Sequence, residues 1–361
     1  MLKRRVVQIL RSPIGGIRKH VYDIIEGLPA DKFEHIFITN VKEADYQLPE
    51  MKNLKIIHMD FEEKPSLKDV QFIFSIYCIL YALNVDVIHG HGAKGGLYAR
   101  IVAYFLRVKC IYTPHGGSLH RVHGKIKNFI YDSIEAALLP FTDVLLFESN
   151  YSKNTYYQNI LDAGEKGVVN YNGVEIPEPR IHPSYKSGDR LKLASFGLLR
   201  HIKGHDIIIS ACLELKNSQI PFSYAIYGKG EEFSNLKNQI EVSGLNDSVK
   251  IFDYCNDVIN EMLKYDFIVQ PSRFESFGYV PVEAMALKIP VISSSEGGLK
   301  EVVTEETGYL SKLNISKEYV DILKGLFEGK LRTKVEKAFE TVSKKFNKKN
   351  MISKLEELYR L

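Results

Sequence analysis

The sequence predicts an α/β protein of two doubly wound domains, and three observations predict it. Its 361 residues exceed what one ordinary core supports, so two domains of similar size are expected. Short apolar, β-rich runs alternate with helix-length segments from end to end. Those runs are continuous rather than alternating, as in strands buried on both faces of a parallel sheet. With 45% hydrophobic and 25% charged residues, the composition is that of a globular chain and excludes disordered and fibrous classes.

In the first half the expected strands are 5–10 (RVVQIL), 35–39 (HIFIT), 54–59 (LKIIHM), 85–89 (VDVIH), 109–113 (KCIYT) and 143–149 (DVLLFES). Helical stretches lie between them near 16–28, 66–83, 95–107, 122–139 and 151–160. The proline-rich, aperiodic segment 172–190 reads as a linker. The pattern then restarts with strands at 191–197, 222–228, 248–253, 266–272 and 290–295. Helices are expected near 205–216, 231–243 and from about 280. The domains are therefore placed at 1–178 and 179–345, with a closing helix over 346–361. Two such sheets would face each other across a cleft at the C-terminal ends of their strands, where ligands of open α/β sheets bind.

A net charge of +4 is small for this length and names no nucleic-acid partner, although it permits contact with phosphates or an anionic membrane. Cys78, Cys110, Cys212 and Cys255 are widely spaced in apolar contexts and read as buried thiols in a reducing compartment. No metal is expected, because ligand spacing is missing. The apolar run at the start breaks after Leu10, too soon for a signal peptide. Residues 70–83 (VQFIFSIYCILYAL) fall short of a membrane span and read as a buried helix. The expected location is the cytoplasm, with a peripheral contact at the cytoplasmic membrane through the basic stretches at 3–5, 18–19 and 121–129.

Four places carry chemistry. Gly15 and Gly16 open the helix after the first strand, where adjacent glycines leave free N–H groups for a phosphate, or simply make a tight turn. In the loop closing the first strand of the second domain, Arg200 and Lys203 could clamp a pyrophosphate, Arg as a fork and Lys as a point charge. In PSRFESFGYVPVEAMALKIPVI (271–292), Glu275 sits in the loop and Glu283 in the first turn of the helix entered through Gly278 and Pro281. A glycosidase acid pair, two ligand-binding groups or a plain helix-start acid all remain open for these carboxylates, whereas a metal site lacks supporting ligands. His115, before Gly116 and Gly117, could bond a hydroxyl or a phosphate. His89 and His91 alternate along a strand end, so one is expected in the sheet packing, and both read as structural.

Taken together, these segments resemble the family 4 glycosyltransferases, retaining enzymes of the GT-B fold. The resemblance runs through SPIGGIRKHV, DVIHGHGAKGGLYAR, YTPHG, YNGVE and YGKGEEFSNLK, and is strongest in PSRFESFGYVPVEAMALKIPVISSSEGGLKEVV. The tail FNKKNMISKLEELYRL resembles the last helix of GT-B proteins, which crosses back to the first domain. The resemblance implies a hexosyltransferase-like enzyme moving a sugar from a nucleotide sugar, a UDP-sugar above all, to a glycan or lipid-linked acceptor in surface-polysaccharide assembly. It implies that Glu275 binds donor-sugar hydroxyls, that Glu283 binds the ribose, and that backbone groups of Phe277, Gly278 and Tyr279 hold sugar and phosphate. Arg200, Lys203 and the Gly15–Gly16 loop would neutralise the leaving diphosphate, His115 would sit beside the transferred sugar, and no metal or resident cofactor would be needed. Leu198 stands where many members carry Arg, with Arg200 displaced by two, so Lys203 is the firmer clamp. The alternatives are a non-catalytic nucleotide-sugar-binding homologue and another GT-B enzyme such as a sugar epimerase.

Overall fold

The computed structural model describes residues 3–48, 50–116, 124–178, 185–312, 314–331 and 334–360. The chain divides into two compact units, Met1–Asn172 with Lys348–Leu361, and Gly173–Asn347.

The first unit is a seven-stranded, wholly parallel sheet. Its strands are β1 (Arg4–Leu10), β2 (Phe33–Thr39), β3 (Leu54–His58), β4 (Val87–His91), β5 (Lys109–Thr113), β6 (Val144–Phe147) and β7 (Gly167–Val169). They lie in the order β3-β2-β1-β4-β5-β6-β7. The chain winds outward from β1 in one direction and from β4 in the other, so the topological switch point falls between them, where Leu10 pairs with His91. Right-handed crossovers put α1 (Gly15–Gly27) on one face. The same rule puts α2 (Lys68–Leu83), α3 (Gly92–Leu106), α4 (Lys125–Leu138) and α5 (Asn150–Asn159) on the other. Helix α3 lies close against the sheet because glycine allows it: a Cβ at Gly95 would stand 2.3 Å from the Ile9 carbonyl oxygen, and one at Gly96 2.1 Å from the Tyr112 ring.

The second unit repeats the plan with β8 (Leu191–Phe196), β9 (Phe222–Tyr227), β10 (Val249–Phe252), β11 (Phe267–Gln270), β12 (Val291–Ser294) and β13 (Tyr309–Ser311). The order β10-β9-β8-β11-β12-β13 is again all parallel and reverses between β8 and β11. Its helices are α6 (His205–Asn217), α7 (Phe233–Val242), α8 (Val258–Met262), α9 (Tyr279–Ala286), α10 (Leu299–Val302), α11 (Ser316–Phe327) and α12 (Val335–Lys345). The last helix, α13 (Lys348–Arg360), belongs to the first unit, where Met351, Ile352, Leu355 and Tyr359 share a core with Val6, Ile24, Leu28 and Phe33. Lys348 fixes its start to Asp23 on α1 at 2.8 Å.

Several expectations need correction. β4 runs two residues later than expected, through His91, because its pairing with β1 continues to Leu10. The three-residue edge strands β7 and β13 carry too little apolar sequence to announce themselves. Helix α2 is not fully buried: Val70, Phe74, Cys78 and Tyr81 stand exposed along one face. Of the cysteines, Cys110 and Cys212 are buried as expected, Cys78 is exposed and Cys255 half-buried. Among the described residues no helix is long and apolar enough to cross a membrane.

Candidate functional site

In the second unit two loops leave the sheet at its switch point, one after β8 and one after β11. They carry Arg200 with Lys203, and Glu275, respectively. The Lys203 ammonium donates to the Glu275 carboxylate, so residues 72 apart in sequence form an ion pair at the strand ends. The same Glu275 oxygen accepts from Gln270 Nε2 and Ser272 Oγ, both at 3.2 Å, which leaves the second carboxylate oxygen outside this set.

The geometry is imposed by the neighbouring residues. Arg273 Nη1 donates to the His201 carbonyl at 2.7 Å, its backbone N–H to that of Ile202 at 2.8 Å, and its fork grips Asp206 at 2.8 and 2.7 Å. Burial pushes the Asp206 carboxyl up, but the hydrogen bonds and charge of Arg273 outweigh this and hold it below the usual carboxylate range. Burial, with Lys203 nearby, lowers His205 to about 4, so its imidazole is neutral near neutral pH. Gly204 (φ +71°) brings the first loop onto the second: a Cβ there would stand 2.0 Å from the Pro271 oxygen. Gly297 (φ +61°) supports the second loop from beneath, where a Cβ would meet the Glu275 backbone carbonyl oxygen at 2.2 Å, and Gly298 N–H donates to that carbonyl at 2.7 Å.

Gly278 caps α9 in a left-handed conformation (φ +108°), and the first amides of the helix, starting at Tyr279, have no intrahelical acceptor. Phe277 is buried. Glu283 is half-buried in the second turn of α9 rather than the first, because the helix begins at Tyr279. Arg200 is exposed and has no side-chain partner among the described residues. Thus the structure brings Glu275 and Lys203 together and leaves Arg200 as the uncommitted cation beside them.

At the switch point of the first unit lies a buried chain of polar groups. His91 joins Gln8 Oε1 at 2.7 Å through Nε2 and His115 Nε2 at 3.0 Å through Nδ1. His115 Nδ1 meets Glu148 Oε2 at 2.9 Å, and Asn172 Nδ2 donates to that oxygen at 3.3 Å. A second branch runs from Gln8 Nε2 to Tyr359 Oη at 3.1 Å, on to His89 Nδ1 at 2.6 Å, and from His89 Nε2 to Thr113 at 2.8 Å. Proton counting follows from Gln8: its Oε1 needs a proton on His91 Nε2, so neutral His91 accepts at Nδ1 from His115 Nε2. The pair His115–Glu148 therefore shares a further proton at Nδ1. Burial, reinforced by neighbouring histidines, drives His89 and His91 well below their ordinary value, and burial with the His115 charge takes His20 to about 3.

Three readings change here. His89 and His91 do not face opposite ways: residues two apart share a sheet face, and their ring centroids are 4.0 Å apart. The His115 ring is buried with both nitrogens engaged, so contact with a sugar would require it to give up a partner. Gly117 lies outside the described residues, while Gly116 and His115 take left-handed conformations (φ +75° and +52°). Gly15 does open α1, but its N–H is not free: it donates to Asp45 Oδ2 at 2.8 Å, and Arg18 pairs with the other oxygen at 2.8 Å. Gly16 beside it is exposed.

Among the described residues, His20, His91 and His115 form a group able to offer three metal-ligand nitrogens, all within 4.8 Å of one another. The hydrogen bonds already held by His91 and His115 account for their geometry without an ion. Sequence reading missed Gln8, His20, Asp45, Glu148, Asn172, Asp206, Arg273 and Tyr359. The available signals were a glutamine within the apolar strand VVQIL and a glutamate closing VLLFE. Tyr359 and Asp45 reach the site from remote segments and give no local sign.

Residues 14–178 match the family model described as Glycosyltransferase Family 4, and residues 178–345 the model described as Glycosyl transferases group 1. An uncharacterized glycosyltransferase of Methanocaldococcus jannaschii is 27% identical, covering 96% of this chain and 94% of the relative. The UDP-Gal:alpha-D-GlcNAc-diphosphoundecaprenol alpha-1,3-galactosyltransferase of Escherichia coli is 25% identical over 81% of this chain and 80% of its own. Among solved structures, Anabaena HepE in complex with UDP and glucose superposes with a TM-score of 0.79 at 20% identity, covering 98% of this chain and 99% of that one. WaaG, a glycosyltransferase involved in lipopolysaccharide biosynthesis, gives 0.76 at 16% identity, covering 98% and 99%. These likenesses establish the GT-B fold.

Proposed function

The chain belongs to the family 4, group 1 glycosyltransferases, and on that premise we propose that it moves a sugar, with retention, from a UDP-sugar to a hydroxyl of a lipid-linked glycan in surface-polysaccharide assembly. That it is a glycosyltransferase follows from the family. The donor and acceptor are inferred from relatives: HepE holds UDP and glucose, and the Escherichia coli enzyme is named for UDP-Gal and a diphosphoundecaprenol.

The observation that carries the reading is the Lys203–Glu275 pair at the β8–β11 switch point, with the uncommitted Arg200 beside it. Glu275 would take donor-sugar hydroxyls through its carboxylate, and Glu283, in the second turn of α9, the ribose. The backbone of Phe277–Tyr279 and the amides opening α9 would hold the phosphates between them. Lys203 and Arg200 would stabilise charge as it develops on the diphosphate, the role that otherwise calls for a metal. In the reaction the bond from anomeric carbon to diphosphate oxygen breaks through an oxocarbenium-like state. The acceptor oxygen bonds on the same face, and its proton passes to the departing phosphate. In the first unit, His115 is assigned to holding the loop after β5 in place.

A thermal-shift screen of UDP-, GDP-, ADP- and CMP-linked sugars tests the donor. A UDP-sugar at about 100 times its Kd should add about 2.7 kcal/mol of stability. Release of UDP that depends on added polyprenyl-linked acceptor then separates transfer from epimerisation. Stabilisation by another base alone would overturn the uridine assignment, and acceptor-independent turnover would overturn transfer.

A further inference from the structure

Seventeen large hydrophobic residues stand exposed among the described residues, and ten of them gather on one layer of the first unit. They are Leu67, Val70, Phe74 and Tyr81 on and before α2, Tyr104 and Phe105 at the end of α3, and Ile126, Phe129, Ile130 and Ile134 on α4. The three helices lie on the same sheet face, and α3 touches both of the others. On α2, residues 70, 74, 78 and 81 recur at helical spacing, and on α4 so do 126, 129, 130 and 134, so each helix turns an apolar stripe outward. An apolar face this concentrated marks an interaction surface.

The exposed charges of its helices are basic. Within α2, α3 and α4 they are Lys68, Lys125 and Lys127, with Arg107 exposed just beyond α3. Lys68 is paired at 2.5 Å with Glu62 in the segment before α2, where Glu63 is exposed as well, so the lysines of α4 carry the charge argument. The acids of these helices point elsewhere: Asp69 is buried against Lys94 at 2.8 Å, Glu135 is buried against Arg100 at 2.8 Å, and Asp132 is half-buried. The other basic stretches noted in the sequence are largely committed, Arg5 to Glu34, Arg18 to Asp45 and Lys19 to Asp23, while residues 121–123 lie outside the described residues.

We propose that the outer face of α2, the end of α3 and α4 is a docking surface for an anionic lipid bilayer, with Phe74, Phe129 and Ile130 entering the interface and Lys125 and Lys127 meeting the headgroups. Exposed aromatic and aliphatic residues with flanking lysines are what an interfacial helix needs. A second copy of the chain fits less well, because a two-fold contact would bring the lysines of α4 together with no exposed acid on the three helices to answer them. The proposal deepens the lipid-linked acceptor reading and rests on it, since such an acceptor lies in a membrane that no helix among the described residues is long and apolar enough to cross.

The test is flotation of the full chain with phosphatidylglycerol-containing vesicles and with pure phosphatidylcholine vesicles. Wild type should float with the anionic vesicles and progressively less as salt rises. The variant Lys125→Gln/Lys127→Gln should bind about 25-fold more weakly, at about fivefold per lysine. Phe74→Ser/Phe129→Ser/Ile130→Ser should lose more than about tenfold, with unchanged melting temperature because all three side chains are exposed. Wild type that ignores anionic vesicles, or variants that bind as wild type, would overturn the surface. So would a dimer, seen by sedimentation without lipid, that these variants dissociate. A nucleotide-sugar thermal shift on the same proteins keeps the two readings apart: vesicle binding without any donor shift leaves the surface standing and removes the function, and the converse removes only the surface.

Discussion

Arg273 holds the loop that presents Lys203, and replacing it by lysine separates its geometry from its charge. Lysine keeps the cation but cannot make the fork to Asp206 together with the bond to the His201 carbonyl, so two of the three side-chain hydrogen bonds go. Their side chains are 31% and 37% exposed, so solvent screening discounts each bond to about 1 kcal/mol or less. The expected stability loss is about 1–2 kcal/mol, or roughly 2–8 °C in Tm for a unit of this size. The effect on rate should be larger than the effect on stability. If Lys203 drifts by an ångström from the leaving diphosphate, kcat falls by as much as about 10²-fold. Steady-state UDP release with saturating donor, measured for R273K, K203A and the double variant, isolates the route. Arg273 acting through Lys203 makes the double variant no slower than K203A alone. Wild-type turnover in R273K, or full additivity in the cycle, would refute the positioning role.

Three further outcomes follow from the same geometry. Lys203→Ala should lower kcat by on the order of 10² or more at saturating donor, by removing a cation from the developing charge; stopped-time product assays read this directly. His35, buried on β2, is held by burial at about 4. The folded state therefore binds fewer protons than the unfolded one, and the stability this brings is full above pH ~6.5 and lost as pH falls toward ~4. His35→Leu should shrink the difference in unfolding free energy between about pH 8 and pH 5 by about 2 kcal/mol, measurable by urea titration at each pH. Tyr359→Phe strips a partner from both Gln8 Nε2 and His89 Nδ1 in a buried setting, and should cost roughly 2–4 kcal/mol by calorimetry while leaving the donor-induced shift in place.

The second unit was the more legible. RHIKGH reads as a strand-end loop with two cations, and PSRFESFGYV as a loop entering a helix through Gly278, because each signal is local. Glu283 was misplaced by one turn for a local reason too: the sequence marks Pro281 as an early helical residue but not whether the first residue is Tyr279 or Val280. The first unit hid its chemistry inside its strands. Gln8 read as part of an apolar run, His89 and His91 as structural residues at a strand end, and Glu148 as a strand end, until the β1–β4–β5 neighbourhood placed them around His115. The Gly15–Asp45 bond shows the same limit, since thirty residues and a whole strand separate donor from acceptor.

By itself the sequence determined the class of the fold, the loops that carry Lys203 and Glu275, the helix that carries Glu283, and the family, because strand runs, helix caps and glycine turns are set by residues within a few positions of one another. The tertiary structure decided that both sheets reverse order at β1–β4 and β8–β11, that Lys203 meets Glu275, that Gly15 is already occupied by Asp45, and that α2 and α4 turn apolar faces outward. Those facts depend on which strands become neighbours and which helix face the sheet covers. Crossovers spanning tens of residues settle such choices through burial, and no local pattern records them.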